Sequence, residues 1–208
     1  NNKKAPFDNV NIRKALNLSL DRNVITDKVL GQGQTPTYVF TPTYIEEGHL
    51  IQQPAYSKEP MAQRNEEAIK LLEEAGYSKA NPLKFSILYN TNENHKKVAI
   101  AAASMWKANT KGLIDVKLEN QEWKTYIDSR RAGRYDAARA GWNADYNQAT
   151  TFGNYFLSNS SNNTAKYANP EYDKAIAESY VATDAEGRAK AYAKAEEILA
   201  KDFGIVPI

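Results

Sequence analysis

The chain has 208 residues, 42% of them hydrophobic, with 27 Lys and Arg against 25 Asp and Glu for a formal net charge of +2. That balance excludes a disordered chain, which lacks the apolar surface to build a core. The interspersed charges also argue against a surface that tracks nucleic-acid phosphates. The absence of cysteine rules out disulfides, iron–sulfur ligation and thiol catalysis while leaving the compartment open.

The segment DNVNIRKALNLSLDRNVITDKVLGQG reads as two consecutive helices. Ile12, Leu16 and Leu20 recur at four-residue spacing, one buried stripe. Asp21 is placed to cap the second helix, which turns Val24, Ile25 and Val29 inward and stops at Gly31. Residues 32–62 carry Pro36, Pro42, Pro54 and Pro60 with little periodicity, a long irregular excursion of the kind that is often functional. NEEAIKLLEEAGY then spells a helix through Ala68, Leu71, Leu72 and Ala75, with Gly76 as its stop.

LKFSILYN, residues 83–90, alternates as a strand. HKKVAIAAASMWKAN follows as an alanine-rich helix, and at 98–106 it holds the longest apolar run, VAIAAASMW, too short for the ~18 residues of a membrane span. IDVKLENQEW begins as a strand with Ile114, Val116 and Leu118 inward. Trp123 to Arg131 is a short helix, and YDAARAGW returns as a strand. Strand, helix, strand, helix, strand implies an α/β domain with right-handed crossovers and at least partly parallel pairing. Ligands of such sheets sit beyond the carboxyl ends of the strands, which is where ARAGWNADYN, residues 138–147, begins.

The remainder is mostly helical. Phe152 to Leu157 forms a short helix before the polar loop SNSSNNT, and Pro170 opens the next in a favourable first-turn position. Thr183 and Glu186 match a capping box for a helix carrying Ala189, Tyr192, Ala195 and Leu199. The closing GIVPI reads as the start of a strand. NNKKAPFD does not read as a translation start, and GIVPI breaks off early, so the chain is expected to be one domain, residues 1–208, of a longer protein.

Cofactor and catalytic patterns are mostly missing. GQG at 31–33 lacks the third glycine and the preceding strand of a dinucleotide fingerprint, and there is no P-loop or nucleophile elbow. His49 and His95 have no zinc-site spacing, so neither metal nor cofactor is expected. Asp128, Asp136 and Asp145 are the candidates for a hydrolytic carboxylate pair, with nothing to single out two that share a proton. In ARAGWNADYN, turn chemistry accounts for Asn143, Asp145 and Asn147. Asp145 alternatively faces a ligand cation, and Trp142 is either core or a pocket wall. Arg139 is expected to be charge-paired. The small residues of YDAARAG either accept a packed helix or leave room for a ligand backbone.

The runs YNTNENHKK, NQEWKTYIDSR and ARAGWNADYN, with IRKALNLSLDR, AIKLLEEAGY and TDAEGRAKAYAKAEEILAKDFGIVPI, resemble the periplasmic oligopeptide-binding proteins of bacterial ABC importers, of the oligopeptide and murein-peptide binding type (extracellular solute-binding protein family 5). The likeness spans nearly the whole chain but only part of a family member, its second, C-terminal ligand-binding lobe. It implies one lobe of a periplasmic-binding-protein type II fold, a mixed β-sheet flanked by helices, that captures short peptides in the periplasm without bond chemistry. A membrane permease and ATPase complex is the implied partner of the full-length protein. Asp145 matches the acid that receives the peptide α-ammonium, and Trp142 and Trp123 match pocket walls. Arg139, Arg130 and His95 match positions meeting the ligand carboxylate or side chains, directly or through water, and Asn143 and Tyr146 complete the loop. WKANTKGLIDVKL departs from the family in its longer connection. Two lobes close over the ligand in this family, so the single lobe is expected to bind tri- to pentapeptides weakly or not at all. The alternatives are murein-peptide, dipeptide, nickel-chelate or haem binding on the same fold, or a carboxylate-based hydrolase.

Overall fold

The computed structural model describes residues 1–208, which divide into two compact units. The first comprises residues 1–36, 55–140 and Ile208, and the second residues 37–54 and 141–207.

The first unit is built on a three-stranded sheet of β1 (Leu83–Asn90), β2 (Ile114–Gln121) and β3 (Ala137–Ala138), in the order β2-β1-β3. Both pairings are parallel, with Leu83 opposite Ile114, and Ile87 and Leu88 opposite Ala137 and Ala138. The α/β class with flanking helices is as expected from sequence, and the strands of this chain pair only in parallel. As the central strand, β1 is covered on both faces, which is why its apolar run is continuous at Ile87, Leu88 and Tyr89. Phe85 packs edge-on to Phe7 and beside Trp106 of α3 (Glu93–Asn109). Leu88 packs on the other face with Tyr135 and with Tyr126 of α4 (Trp123–Arg131).

Two strand expectations are corrected. Only Ile114 of the β2 stripe is fully buried, Val116 is half-buried and Leu118 is 38% exposed, because an outer strand has a neighbour on one side only. YDAARAGW contributes just two paired residues: beyond Ala138 the chain makes one more bond to β1, from the Arg139 amide to the Leu88 carbonyl at 2.8 Å, and then turns away.

Helix α1 (Val10–Leu18) buries Ile12 and Leu16 as its spacing requires, with Leu20 buried just beyond. The next helix, Val24–Leu30, has the Asp21 cap (Val24 N–H to Oδ1, 3.2 Å) and the left-handed Gly31 (φ 62°) that the sequence indicates. Its winding is wider than an α-helix, however: the Gly31 amide bonds back five residues, to the Thr26 carbonyl. Helix α2 (Met61–Glu74) buries Ala68 and Leu72, while Ala75 lies past its end and is exposed. The longer connection after α3 turns through consecutive left-handed residues, Lys111 and Gly112.

The second unit packs α6 (Pro170–Val181) against α7 (Ala185–Lys201) around Tyr155, Phe156, Tyr167, Tyr172 and Ile176. Asn169 caps α6 ahead of Pro170. The expected Thr183–Glu186 capping box is not formed. Asp184 is the cap instead, its Oδ1 accepting from the Gly187 amide at 2.7 Å; the neighbouring carboxylate displaces the hydroxyl because its bond is charge-assisted. Ala189, Tyr192, Ala195 and Leu199 are buried as expected. The short helix starts at Thr150 rather than Phe152, as α5 (Thr150–Gly153), and tightens through Asn154–Phe156. GIVPI forms no strand.

The excursion 37–54 is organised by α7. Glu196 is buried and accepts bonds from the Phe40 amide (3.1 Å), the Thr41 amide (2.7 Å) and the Thr41 hydroxyl (2.5 Å). Burial pushes its carboxyl pKa up despite those three donors. Arg188 pairs with buried Glu47 at 2.7 Å.

Candidate functional site

The eight residues singled out in sequence divide evenly. Trp123, Arg130, Arg139 and His95 belong to the first unit, and Trp142, Asn143, Asp145 and Tyr146 to the second.

In the first unit the four lie around the carboxyl ends of the strands. Asn90 ends β1, and two residues on, Asn92 caps α3 by accepting from the His95 amide at 3.1 Å. That cap turns the His95 ring back to Asn90, with Nδ1 2.9 Å from Oδ1. An amide oxygen only accepts, so Nδ1 carries the proton and Nε2 presents a lone pair. Burial lowers the His95 pKa, the charge of Arg139 lowers it further, and the ring is neutral at pH 7. Tyr126, which sequence reading passed over, is the hub. Its hydroxyl donates to the Arg139 carbonyl and lies 3.4 Å from Arg130 Nη1. Arg130 sits 5.3 Å over the Tyr126 ring, and the Trp123 ring tilts against it at 5.7 Å. Trp123 is 61% exposed, an uncommon setting for so large an apolar ring.

The expected charge pairing of Arg139 is not observed: its guanidinium makes no ion pair. The side chain is only half-buried, so water can solvate it. Burial and the neighbouring charge of Arg130 lower its pKa, partly offset by Tyr126, and it remains a cation at neutral pH. Arg130 and Arg139 thus make an electropositive strand end suited to an anion, and neutral His95 presents beside them a lone pair for a hydrogen-bond donor or a bridging water. The small residue Ala138 packs with the Leu88, Tyr126 and Tyr135 cluster, so at that position it serves helix packing.

In the second unit, Trp142 is half-buried. Its indole N–H donates to the Thr151 carbonyl at 2.9 Å and its ring meets Tyr155 at 5.2 Å, edge to face. Asn143, Asp145 and Tyr146 are exposed. The Asp145 amide donates to the Thr151 hydroxyl at 3.0 Å, while the carboxylate makes no hydrogen bond or ion pair. Asp145 therefore does not cap α5, whose N-cap is Ala149 without a side-chain bond. The Tyr146 hydroxyl lies 3.1 Å from the Thr150 hydroxyl, which itself donates to Gln148. Asn147 accepts from the Glu46 amide at 3.1 Å and the Glu46 carbonyl accepts from the Ala149 amide at 3.2 Å, so the excursion brackets the loop.

The two other carboxylates named from sequence sit in different settings. Asp136 is held by Lys4 at 2.5 Å and by the Ser86 amide at 3.0 Å. Burial alone raises its pKa, and these partners outweigh that and bring it below the carboxylate norm, away from a proton donor's range. Asp128 is exposed on α4. No group of His, Asp and Glu is arranged to hold a metal ion. No helix is long and apolar enough to cross a membrane.

Comparison with known proteins supplies the context for this geometry. Residues 1–164 match the family described as bacterial extracellular solute-binding proteins, family 5 Middle. The chain is 98% identical over 208 residues to the periplasmic oligopeptide-binding protein OppA of Haemophilus influenzae, and 43% identical to the periplasmic murein peptide-binding protein MppA of Escherichia coli. In each case the match covers 100% of this chain and 38% of the relative. A crystal structure of Haemophilus influenzae OppA in complex with RPPGFSPFR superposes with a TM-score of 0.99 at 97% identity, covering 100% of this chain and 40% of that one.

Proposed function

The chain belongs to the bacterial extracellular solute-binding proteins, family 5, and we propose from that premise that it forms one ligand-binding lobe of a longer periplasmic protein that captures short oligopeptides for an ABC importer. The observation that carries this reading is the 98% identity, over every residue of the chain, to a protein named for periplasmic oligopeptide binding. The geometry agrees with it. Asp145 offers a carboxylate engaged by nothing else, on a loop whose backbone is pinned. Such a group can take a peptide α-ammonium in a charge-assisted bond worth roughly 1.5–3 kcal/mol.

Trp142 then walls one side-chain pocket, with Asn143 and Tyr146 on the same loop, and Trp123 lines another. Arg139 and Arg130 meet a carboxylate or acidic side chain, and His95 accepts from a ligand donor or a bridging water. Binding is anchored on groups every peptide possesses, with roomy hydrated pockets for the rest, so side chains are tolerated broadly. The protein performs no bond chemistry, and the energy of transport comes from a membrane permease and ATPase complex that receives the loaded protein.

Native mass spectrometry of the full-length protein taken directly from cells tests this reading. Co-purifying masses are expected to fall on short peptides of mixed sequence. A homogeneous murein peptide would instead favour the second reading, which the 43% identity to MppA supports. A protein that carries no peptide and gives no calorimetric signal with trialanine or tetraalanine would sink both.

A further inference from the structure

We propose that Thr151 is the positioning residue of the ligand loop, fixing the peptide-facing groups of Trp142 and Asp145 from a single buried point. The role rests on the reading of Asp145 as the ammonium acceptor. Thr151 is the second residue of α5 and only 5% exposed. It uses two different atoms on the loop: its carbonyl accepts the Trp142 indole N–H at 2.9 Å, and its hydroxyl oxygen accepts the Asp145 amide at 3.0 Å. The pocket wall and the carboxylate are thereby referenced to one residue, and that residue is set among buried neighbours, Ala149, Thr150 and Phe152.

The arrangement matters because no side-chain contact fixes the carboxylate. Asp145 is exposed and its side chain has no partner in the chain, so its reach is set by its backbone, which the Thr151 hydroxyl holds at Asp145 itself while Asn147 and Tyr146 are tied further along the loop. An anchor held in place before the ligand arrives avoids the entropy of ordering it during binding. Removing the hydroxyl leaves the Thr151 carbonyl and its bond to Trp142 in place, so it acts on the ammonium anchor and spares the pocket wall.

The test compares the full-length protein with its Thr151→Val, Thr151→Ser and Asp145→Asn variants by calorimetry, using trialanine and N-acetyl-trialanine. Valine keeps the shape without the acceptor, and serine keeps the acceptor. Thermal melting of each variant establishes that it is folded. The preference for the free amine is expected to fall about three- to tenfold in Thr151→Val, the share carried by one hydrogen bond. Affinity for the acetylated peptide should be unchanged, and Thr151→Ser should restore the preference. An undiminished preference in Thr151→Val, or an equal loss for both peptides, overturns the positioning role. If Asp145→Asn also keeps the full preference, the ammonium reading itself fails and takes the positioning role with it. If Asp145→Asn loses the preference while Thr151→Val keeps it, the threonine role alone is overturned.

Discussion

The Tyr126 hydroxyl donates to the carbonyl of Arg139, joining the helix that bears Trp123 and Arg130 to the strand end that bears Arg139. The phenol is almost wholly buried and its ring is in contact with both Trp123 and Arg130. Three of the four candidate ligand contacts in the first unit are therefore set by one side chain. Tyr126→Phe keeps the ring and deletes only the hydroxyl. It is expected to lower stability by about 1–3 kcal/mol, because the Arg139 carbonyl loses its donor. Urea denaturation of the 208-residue chain measures the cost.

His95 gives a pH signature. Its folded pKa is depressed below 6.5, first by burial and then by Arg139. A base whose folded pKa is depressed favours folding fully above its unfolded value, and that contribution is lost as pH falls through the folded one. The urea midpoint is therefore expected to drop on acidification below about 6.5, with a smaller drop in His95→Gln. With only two histidines in the chain, an NMR titration resolves the ring directly. Its midpoint should lie below 6.5 and move up in Arg139→Gln.

Asp145→Asn removes the charge from the proposed anchor and leaves its size unchanged. In the full-length protein, affinity for trialanine is expected to fall about 10- to 100-fold, while N-acetyl-trialanine is unaffected. Equal binding of trialanine by variant and wild type in calorimetry would discard the ammonium role.

The isolated 208-residue chain should bind such peptides more weakly than micromolar. As the proposed single lobe, the chain offers one wall of contacts, and the water exclusion that strengthens charged bonds needs a second. Calorimetry with trialanine and tetraalanine checks this, and a micromolar or tighter constant would contradict it.

Glu196→Gln tests the clamp on the excursion. Glutamine offers one acceptor oxygen where the carboxylate offers two, and the half-buried Phe40 amide loses its partner, at a cost of about 1 kcal/mol. The folded pKa of Glu196 is raised by burial from its ordinary 4.5. A raised acid contributes stability fully below its unfolded value and loses that contribution as pH rises through the folded one. The wild-type advantage over Glu196→Gln is therefore expected to narrow as pH rises above 4.5, in parallel urea titrations of the two proteins.

Periodicity carried most of this architecture. Leu83 to Asn90 and Trp123 to Arg131 match their elements residue for residue, because alternation and four-residue spacing are local records of burial. What stayed hidden depends on partners distant in the chain. Leu118 looks like core until the sheet order shows β2 at the edge. Thr183 is a reasonable cap until the adjacent Asp184 competes for the same amides. The site divides in the same way. Trp142, Asp145 and Arg139 stand out by residue type, and their proposed roles come from family likeness. Tyr126, Thr151 and Glu196 do not stand out, because a buried tyrosine, a threonine at a helix start and a glutamate on a helix are ordinary until their acceptors and donors are located.

The second unit is assembled from two stretches that the chain visits at separate times, 37–54 and 141–207. The Glu196 clamp joins positions 155 residues apart in sequence. The excursion consequently has no α7 to dock on until most of the chain is available. Contacts of such separation form late, since the entropy of closing the intervening loop precedes any reward. Residues 37–54 should thus be the last segment to gain protease resistance during refolding and the first to lose it under mild denaturant, and a piece cut to contain only 141–207 would leave the Glu196 carboxylate without its three donors.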